Sequence, residues 1–236
     1  SGQYHRRMDE LLKSLAGRDH DRSFGYPWYA DQDVAIPVSG RALGAEHKAE
    51  RLRTLLVQAG VDYLGARVLP VFEGTLNRLF AETDNKSETL FLNAAQLLAR
   101  LQKRYRGERL VVTVDKHGGR NRYGWLLAKR FPKSTFVIHK QGRKVSHYEV
   151  RGTDRPFHVR FVMKADQTSF PVALASMHAK YVRELFMMLF ARYWQKHVPE
   201  VRPTAGYGRD ALRFIDEVTP TVRQLNIPGD MLVRQR

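Results

Sequence analysis

The sequence predicts an α/β fold, a mixed sheet flanked by helices with an N-terminal helical and irregular appendage. Three observations carry this. Leu110 to Val114 is a short continuous apolar run, the pattern of a strand covered on both faces in an α/β sheet. Residues 144–150 and 157–163 read as the strands of a hairpin across a turn at Gly152 to Pro156. Most of the remaining chain repeats its apolar positions at helical spacing. With 236 residues, 43% of them hydrophobic and 11% aromatic, the chain can bury a real core, which excludes disorder throughout. The expected division is a segment 1–60 followed by one domain over 61–236.

Taken in order, Met8, Leu11, Leu12 and Leu15 recur at helical spacing and Gly17 follows as a stop, so 3–15 is a predicted helix. Residues 17–44 read as irregular, punctuated by Gly25, Pro27, Pro37, Gly40 and Gly44, with Tyr26, Trp28 and Tyr29 pinning the segment to the body. Helical period returns over 45–59. Val61 to Phe72, rich in β-branched and aromatic residues, reads as a strand. Residues 74–82 and 86–104 read as helices, the second with Leu90, Leu97, Leu98 and Leu101 on its core face. After the strand ending at Asp115 come a helix over 121–131, a strand from Thr135 to Ile138, the hairpin, one long helix from Val172 to His197 and a last helix over 209–224. Phe186 to Trp194 is apolar almost all round, which suits core packing first and a partner interface second.

Forty Lys and Arg against 24 Asp and Glu leave a formal charge of +16. The excess is concentrated: residues 101–160 hold 16 basic and 4 acidic side chains. Such a stretch is the footprint expected for a polyanion, because each cation that meets a phosphate releases a counterion. Tyr105, Arg120, Arg122, Tyr123, Trp125, His139, His147 and Tyr148 interleave stacking groups with the cations, which favours nucleic acid over a merely soluble basic surface. Anionic membrane is a weaker rival, since no basic amphipathic helix with an aromatic face stands out. Without cysteine there is no disulfide framework, zinc-thiolate site or cysteine nucleophile, and a reducing, cytoplasmic setting fits. No membrane span or leader is visible. No G-x-S-x-G and no Walker A motif occurs, so serine hydrolase and P-loop ATPase are poor fits. The nine histidines are scattered with no H-x-x-x-H pair for a metal. His117, beside Asp115, is the one to watch as a proton shuttle.

Asp115 ends the apolar strand and is followed by Lys116, His117, Gly118, Gly119 and Arg120, where open α/β sheets place their sites. It could ligate Mg²⁺ while the loop and Arg120 approach a phosphate, or it could cap the next helix or a turn. Asp166 precedes the long helix, where capping is the ordinary role of an Asp. Beyond it, Ala173, Ala175, Ser176 and Ala179 would let the helix pack closely on a sheet. Lys180 and Arg183, three apart on one face, would present cations suited to phosphates.

At these residues the chain resembles the type 2 ribonuclease H family, which has the ribonuclease H-like fold. That family's Asp followed by Ala-Ala-Ser-Ile-x-Ala-Lys-x-x-Arg-Asp and a Met is similar to Asp166 through Ala175-Ser176-Met177-His178-Ala179-Lys180-Tyr181-Val182-Arg183-Glu184 and Met187. Its later Gly-Tyr motif is similar to Gly206-Tyr207, and its Asp at the end of a hydrophobic strand to Asp115. The ordered match runs from about residue 61 to 215. Asp115-Lys-His-Gly-Gly-Arg and Thr204-Ala-Gly-Tyr depart from ordinary members and mark a divergent branch. The resemblance implies a Mg²⁺ or Mn²⁺ dependent endonuclease cutting the RNA strand of RNA/DNA hybrids or at embedded ribonucleotides, with Asp115 and Asp166 as catalytic, metal-binding carboxylates. Lys116, Arg120, Ser176, Lys180 and Arg183 would bind substrate, and Tyr207 would stack near the ribose.

The family's other two carboxylates come from an Asp-Glu pair in a Gly-rich first strand, which this chain does not show. Asp9-Glu10 is the one early candidate, and as neighbours in an amphipathic helix the two side chains do not face one site. Two-metal hydrolysis needs several carboxylates holding ions about 4 Å apart. The chain opens on Ser1-Gly2 rather than Met, so its natural start is expected upstream or replaced, and the 61–236 domain is expected to be N-terminally incomplete. An upstream segment or a protein partner would then supply the pair. The alternative is a non-catalytic nucleic-acid-binding subunit of the same fold in a larger complex.

Overall fold

The computed structural model describes residues 5–30, 33–38, 44–152 and 155–235. It is a mixed α/β structure whose chain divides into two compact units. One comprises Val71–Ala179 with Pro228–Arg236, the other Ser1–Pro70 with Lys180–Ile227. The N-terminal stretch thus shares a unit with the later helices.

The first of these units is built on a four-stranded sheet of order β1-β4-β3-β2, formed by β1 (Val111–Asp115), β2 (Thr135–Gln141), β3 (Val145–Arg151) and β4 (Phe157–Val162). β2, β3 and β4 form an antiparallel meander, and β1 lies parallel to β4 with Val112 opposite Val159 and Asp115 opposite Val162. Alternation sorts the side chains. Val159, Phe161, Tyr148 and Val150 are fully buried on one face, with Val112 and Val114 packed against them. Phe91, Ala95 and Leu98 cover that face from α4 (Lys86–Arg104), joined by Tyr123, Leu126 and Leu127 at α5 (Gly124–Arg130). The rings of Tyr123 and Phe161 lie parallel with centroids 3.7 Å apart at its centre.

Both tyrosine hydroxyls in this core are partnered, as buried polar groups must be. Tyr148 Oη accepts from Tyr123 N–H (2.9 Å) and Gln141 Nε2 (2.8 Å), and Tyr123 Oη accepts from His117 N–H (3.1 Å). Gly152 turns the β3–β4 connection at φ 86°, and a Cβ there would stand 2.9 Å from the Lys133 carbonyl oxygen, so only glycine fits. α3 (Glu73–Thr83) precedes α4. Its Asn77 holds the C-terminal turn α8 (Gly229–Leu232), donating to the carbonyls of Asp230 (3.0 Å) and Val233 (2.8 Å) and accepting from Gln235 N–H (2.9 Å).

The second unit is aromatic at its centre. α1 (Met8–Ala16) buries Met8, Leu12 and Leu15, and a 3-10 helix over Gly17–Gly25 follows where irregular chain was expected. Tyr26, Trp28 and Tyr29 do pin their segment. Trp28 meets Phe190 (centroids 5.4 Å), Trp194 (6.0 Å) and Tyr193 (6.1 Å), and Tyr29 meets Phe186 (4.9 Å). These partners lie on the long helix α6 (Phe170–His197), so its apolar stretch is core, closed on another side by Phe214 of α7 (Gly208–Gln224).

Three local expectations fail for one reason, that propensity acts only where a partner surface exists. Val61 to Phe72 forms no strand. It runs as irregular chain through Gly65 at φ 126° and Pro70, is tied between its ends by a bond from Val68 N–H to the Leu15 carbonyl (2.9 Å), and leaves Tyr63 and Leu64 exposed. On α4 the core face is Phe91, Ala95 and Leu98, an i, i+4, i+7 stripe rotated away from Leu90, which is exposed. β1 is an edge strand among the described residues, so it is not covered as a central strand would be, and Val111 is 49% exposed. α2 (Ala45–Gln58) forms as expected and buries none of its residues.

Candidate metal and nucleic-acid site

Asp115 stands at the C-terminal end of β1, and the parallel partner β4 leads, three residues after its end, into the 3-10 turn Ala165–Gln167 that carries Asp166. The two ends are tied directly. Asp115 Oδ1 accepts from the backbone N–H of Ala165 at 2.9 Å, which sets Asp166 one residue from the Asp115 carboxylate. Lys164 at φ 54° makes the turn that allows this. Both aspartates are exposed. Asp115 does not cap α5, which Tyr123 precedes, but its bond to Ala165 N–H does cap the 3-10 turn, and Asp166 lies four positions ahead of α6 with no hydrogen bond of its own among the described residues.

The loop that follows Asp115 is held from three sides. Lys116 Nζ donates to the carbonyls of Gly142 (2.7 Å) and Arg120 (3.2 Å), to Asn121 Oδ1 (3.0 Å) and to Ser146 Oγ (3.1 Å). Burial lowers its pKa from the ordinary lysine value. Arg120 Nε donates to Ser87 Oγ at 2.7 Å and its Nη2 to Asn85 Oδ1 at 3.3 Å, so it braces the start of α4, where Asn85 also accepts from Glu88 N–H (3.0 Å). Lys116 and Arg120, expected as phosphate contacts, thus bind groups of their own unit.

His117 turns inward. Its ring sits among Phe91, Tyr123 and Phe161 at centroid distances of 6.2, 5.9 and 6.1 Å, and Nδ1 has no partner among the described residues. Burial pulls its pKa down to about 4, a depression that Arg120 adds to and the Asp115 charge opposes. The imidazole is neutral at pH 7 and walled by rings, an anchor for the loop rather than a proton carrier.

Ser176 lies half-buried in the part of α6 that belongs to the sheet unit. Ala175, Met177 and Ala179 around it are exposed, so this part of the helix is not packed down by its small residues, and burial on α6 begins at Val182. Lys180, Arg183 and Tyr207 belong to the other unit. Lys180 is exposed. Arg183 reaches the loop before α7, donating from Nη2 to the Ala205 carbonyl (2.6 Å), with its guanidinium 4.9 Å from the Tyr207 ring centre. Tyr207 is 66% exposed. Its loop is fixed by Asp210, which accepts from Thr204 Oγ1 (2.6 Å), Ala205 N–H (3.3 Å) and Arg213 Nη2 (2.7 Å). The Thr204 and Arg213 donors hold the Asp210 carboxyl down at about 2. The result is an aromatic face backed by a cation and offered to solvent, the arrangement on which a base or sugar can stack.

Asp9 and Glu10 are engaged locally, as expected of a solvated helix face. Asp9 pairs with Lys13 (2.6 Å) and His20 (3.1 Å), and Glu10 accepts from Arg6 N–H (3.2 Å). Sequence reasoning missed the Asp210 lock, the Ser87 and Asn85 brace and a histidine cluster. His139, His147 and His158, distant in sequence, place one nitrogen each within 4.8 Å of one another. The register of β3 and β4 puts His147 and His158 on one face, and an irregularity in β2 at His139 completes the cluster. No family model, no curated protein and no solved structure matches the chain. No helix among the described residues is long and apolar enough to cross a membrane.

Proposed function

We propose that this chain is a metal-dependent endonuclease with a ribonuclease H-like core that cuts the RNA strand of RNA/DNA hybrids or at embedded ribonucleotides. The observation that carries the reading is the bond from Ala165 N–H to Asp115 Oδ1, which brings the ends of two parallel strands, and so Asp115 and Asp166, together. Hard oxygen donors at that junction fit Mg²⁺ or Mn²⁺. Bound there, such an ion would supply an activated water and charge stabilisation of the leaving oxygen. Tyr207 over Arg183 supplies a stacking platform, and the 101–160 stretch supplies the cations for the phosphates.

Two carboxylates hold one ion weakly, and the open edge of β1 offers a place for more. Leu110 O and Lys116 N–H point to β4, so the N–H and C=O groups of Val111, Thr113 and Asp115 point the other way and have no partner among the described residues. An added strand bearing an Asp-Glu pair, from an upstream segment or a partner chain, would pair there beside Asp115. A second reading, a non-catalytic nucleic-acid-binding subunit, is favoured by one observation: among the described residues no third Asp, Glu or His joins Asp115 and Asp166.

Cleavage decides between them. Labelled RNA/DNA hybrid, duplex with one ribonucleotide and plain DNA are incubated with the protein and Mg²⁺, Mn²⁺ or EDTA. Metal-dependent cutting confined to ribonucleotides supports the nuclease. Tight hybrid binding without cutting, by a chain whose natural start has been verified, supports the binding subunit.

A further inference from the structure

The face of the sheet opposite the hydrophobic core is polar, and its histidines converge. His158 of β4 and His147 of β3 sit diagonally across the antiparallel ladder, in which His147 is opposite Arg160 and His158 opposite Glu149. His147 Nε2 and His158 Nδ1 are 3.1 Å apart. The third ring arrives through an irregularity in β2. Ile138 pairs with Tyr148 and Lys140 with His147, so His139 is an extra residue without a partner of its own. Such a bulge re-aims a side chain. Here it lays the His139 ring beside that of His147, with centroids 4.5 Å apart and planes 25° from parallel.

We infer that His139, His147 and His158 form a binding site for a transition-metal ion of the zinc class, separate from the Asp115 and Asp166 junction. Two imidazole nitrogens bound to one tetrahedral Zn²⁺ at about 2.0–2.1 Å stand roughly 3.3 Å apart, close to the 3.1 Å between His147 and His158. The third nitrogen lies within 4.8 Å of both, on an exposed ring that a rotation of its side chain brings into range. A carboxylate completes the surroundings. Glu149 Oε2 is 3.2 Å from His139 Nε2 while Oε1 accepts from Arg151 Nε at 2.7 Å, the arrangement that fixes the tautomer of a metal-ligating histidine. Arg160 and Arg151 flank the triad, and their charge disfavours hard, weakly held cations while leaving imidazole's preference for Zn²⁺, Co²⁺, Ni²⁺ and Cu²⁺ intact. Three protein ligands on a solvent-facing sheet leave a fourth position open, so the ion would carry a water or an incoming anionic ligand.

The test uses the whole chain stripped of metal and titrated with Co²⁺, whose visible spectrum reports a tetrahedral nitrogen-rich site, followed by displacement with Zn²⁺. The expected result is one ion per chain, displaced by Zn²⁺ and untouched by excess Mg²⁺. His147→Gln and His139→Gln should each weaken binding by about 100-fold or more, and Glu149→Gln by about tenfold. Asp115→Asn should leave it unchanged, which keeps this site distinct from the proposed nuclease centre. Circular dichroism and urea midpoints verify that the variants fold. In the unaltered protein, Zn²⁺ should shift the imidazole NMR signals of these three among nine histidines. Absence of a stoichiometric Co²⁺ spectrum, equal affinity in His147→Gln, or shifts confined to other histidines would overturn the assignment.

Discussion

The loop after Asp115 and the loop around Tyr207 carry similar text, glycines beside cations and a functional group, yet they use their cations differently. In the first, Lys116 and Arg120 are drawn into the protein by carbonyl, amide and hydroxyl oxygens. Against the second, Arg183 of α6 donates to the Ala205 carbonyl and to Glu184 and sets its guanidinium 4.9 Å from the centre of a ring that remains exposed. The cations of the first loop are thus spent on the protein's own acceptors, whereas the arginine behind the second leaves an aromatic face open to solvent.

His117 sharpens this comparison most. Unfolded, its imidazole titrates near 6.5, whereas burial holds it at about 4 in the folded protein. Between those values the unfolded chain takes up a proton that the folded chain refuses. The contribution is therefore complete above pH 6.5 and is lost as pH falls toward 4, by about 3 kcal/mol in total. Urea unfolding at pH 7 and pH 5 should show a steeper loss for the wild type than for His117→Phe, which keeps the ring contacts and removes the titration. Equal loss in both would place His117 outside its cage.

Lys116→Met should lower stability by about 1 kcal/mol, because part-buried acceptors lose a charged donor, while hybrid affinity changes by less than about twofold. The reverse pattern, a large affinity loss with unchanged urea midpoint, would make Lys116 a phosphate contact and break the comparison. Tyr207→Ala should do the opposite of Lys116→Met, weakening hybrid or single-strand binding by about 1 kcal/mol or more with no change in stability, and Tyr207→Phe should retain binding. Fluorescence anisotropy at fixed salt reads each.

Much of the framework was legible because it rests on local signals. The helices over 73–83, 86–104 and 208–224, the strands from Val111 and Thr135 and the hairpin partners emerge from periodicity and turn residues. What escaped depends on pairing across distance. Val61 to Phe72 has strand composition but pairs with no strand of the sheet. The core stripe of α4 is set by Tyr123 and Phe161 beneath it rather than by its own leucines. At the candidate site the strand end marks Asp115 and the family resemblance marks Asp166, but the inward turn of Lys116 depends on Gly142 and Ser146, which follow it by 26 and 30 positions. The histidine cluster depends on a bulge that no single strand announces.

Single-turnover cleavage of a hybrid by wild type, Asp115→Asn and Asp166→Asn, with binding measured in parallel, tests the central claim most directly. Both substitutions should abolish metal-dependent cutting, by at least about 100-fold, while each variant still binds the hybrid. Cutting at wild-type rate by either variant would contradict the pairing of Asp115 and Asp166 as one metal-binding centre.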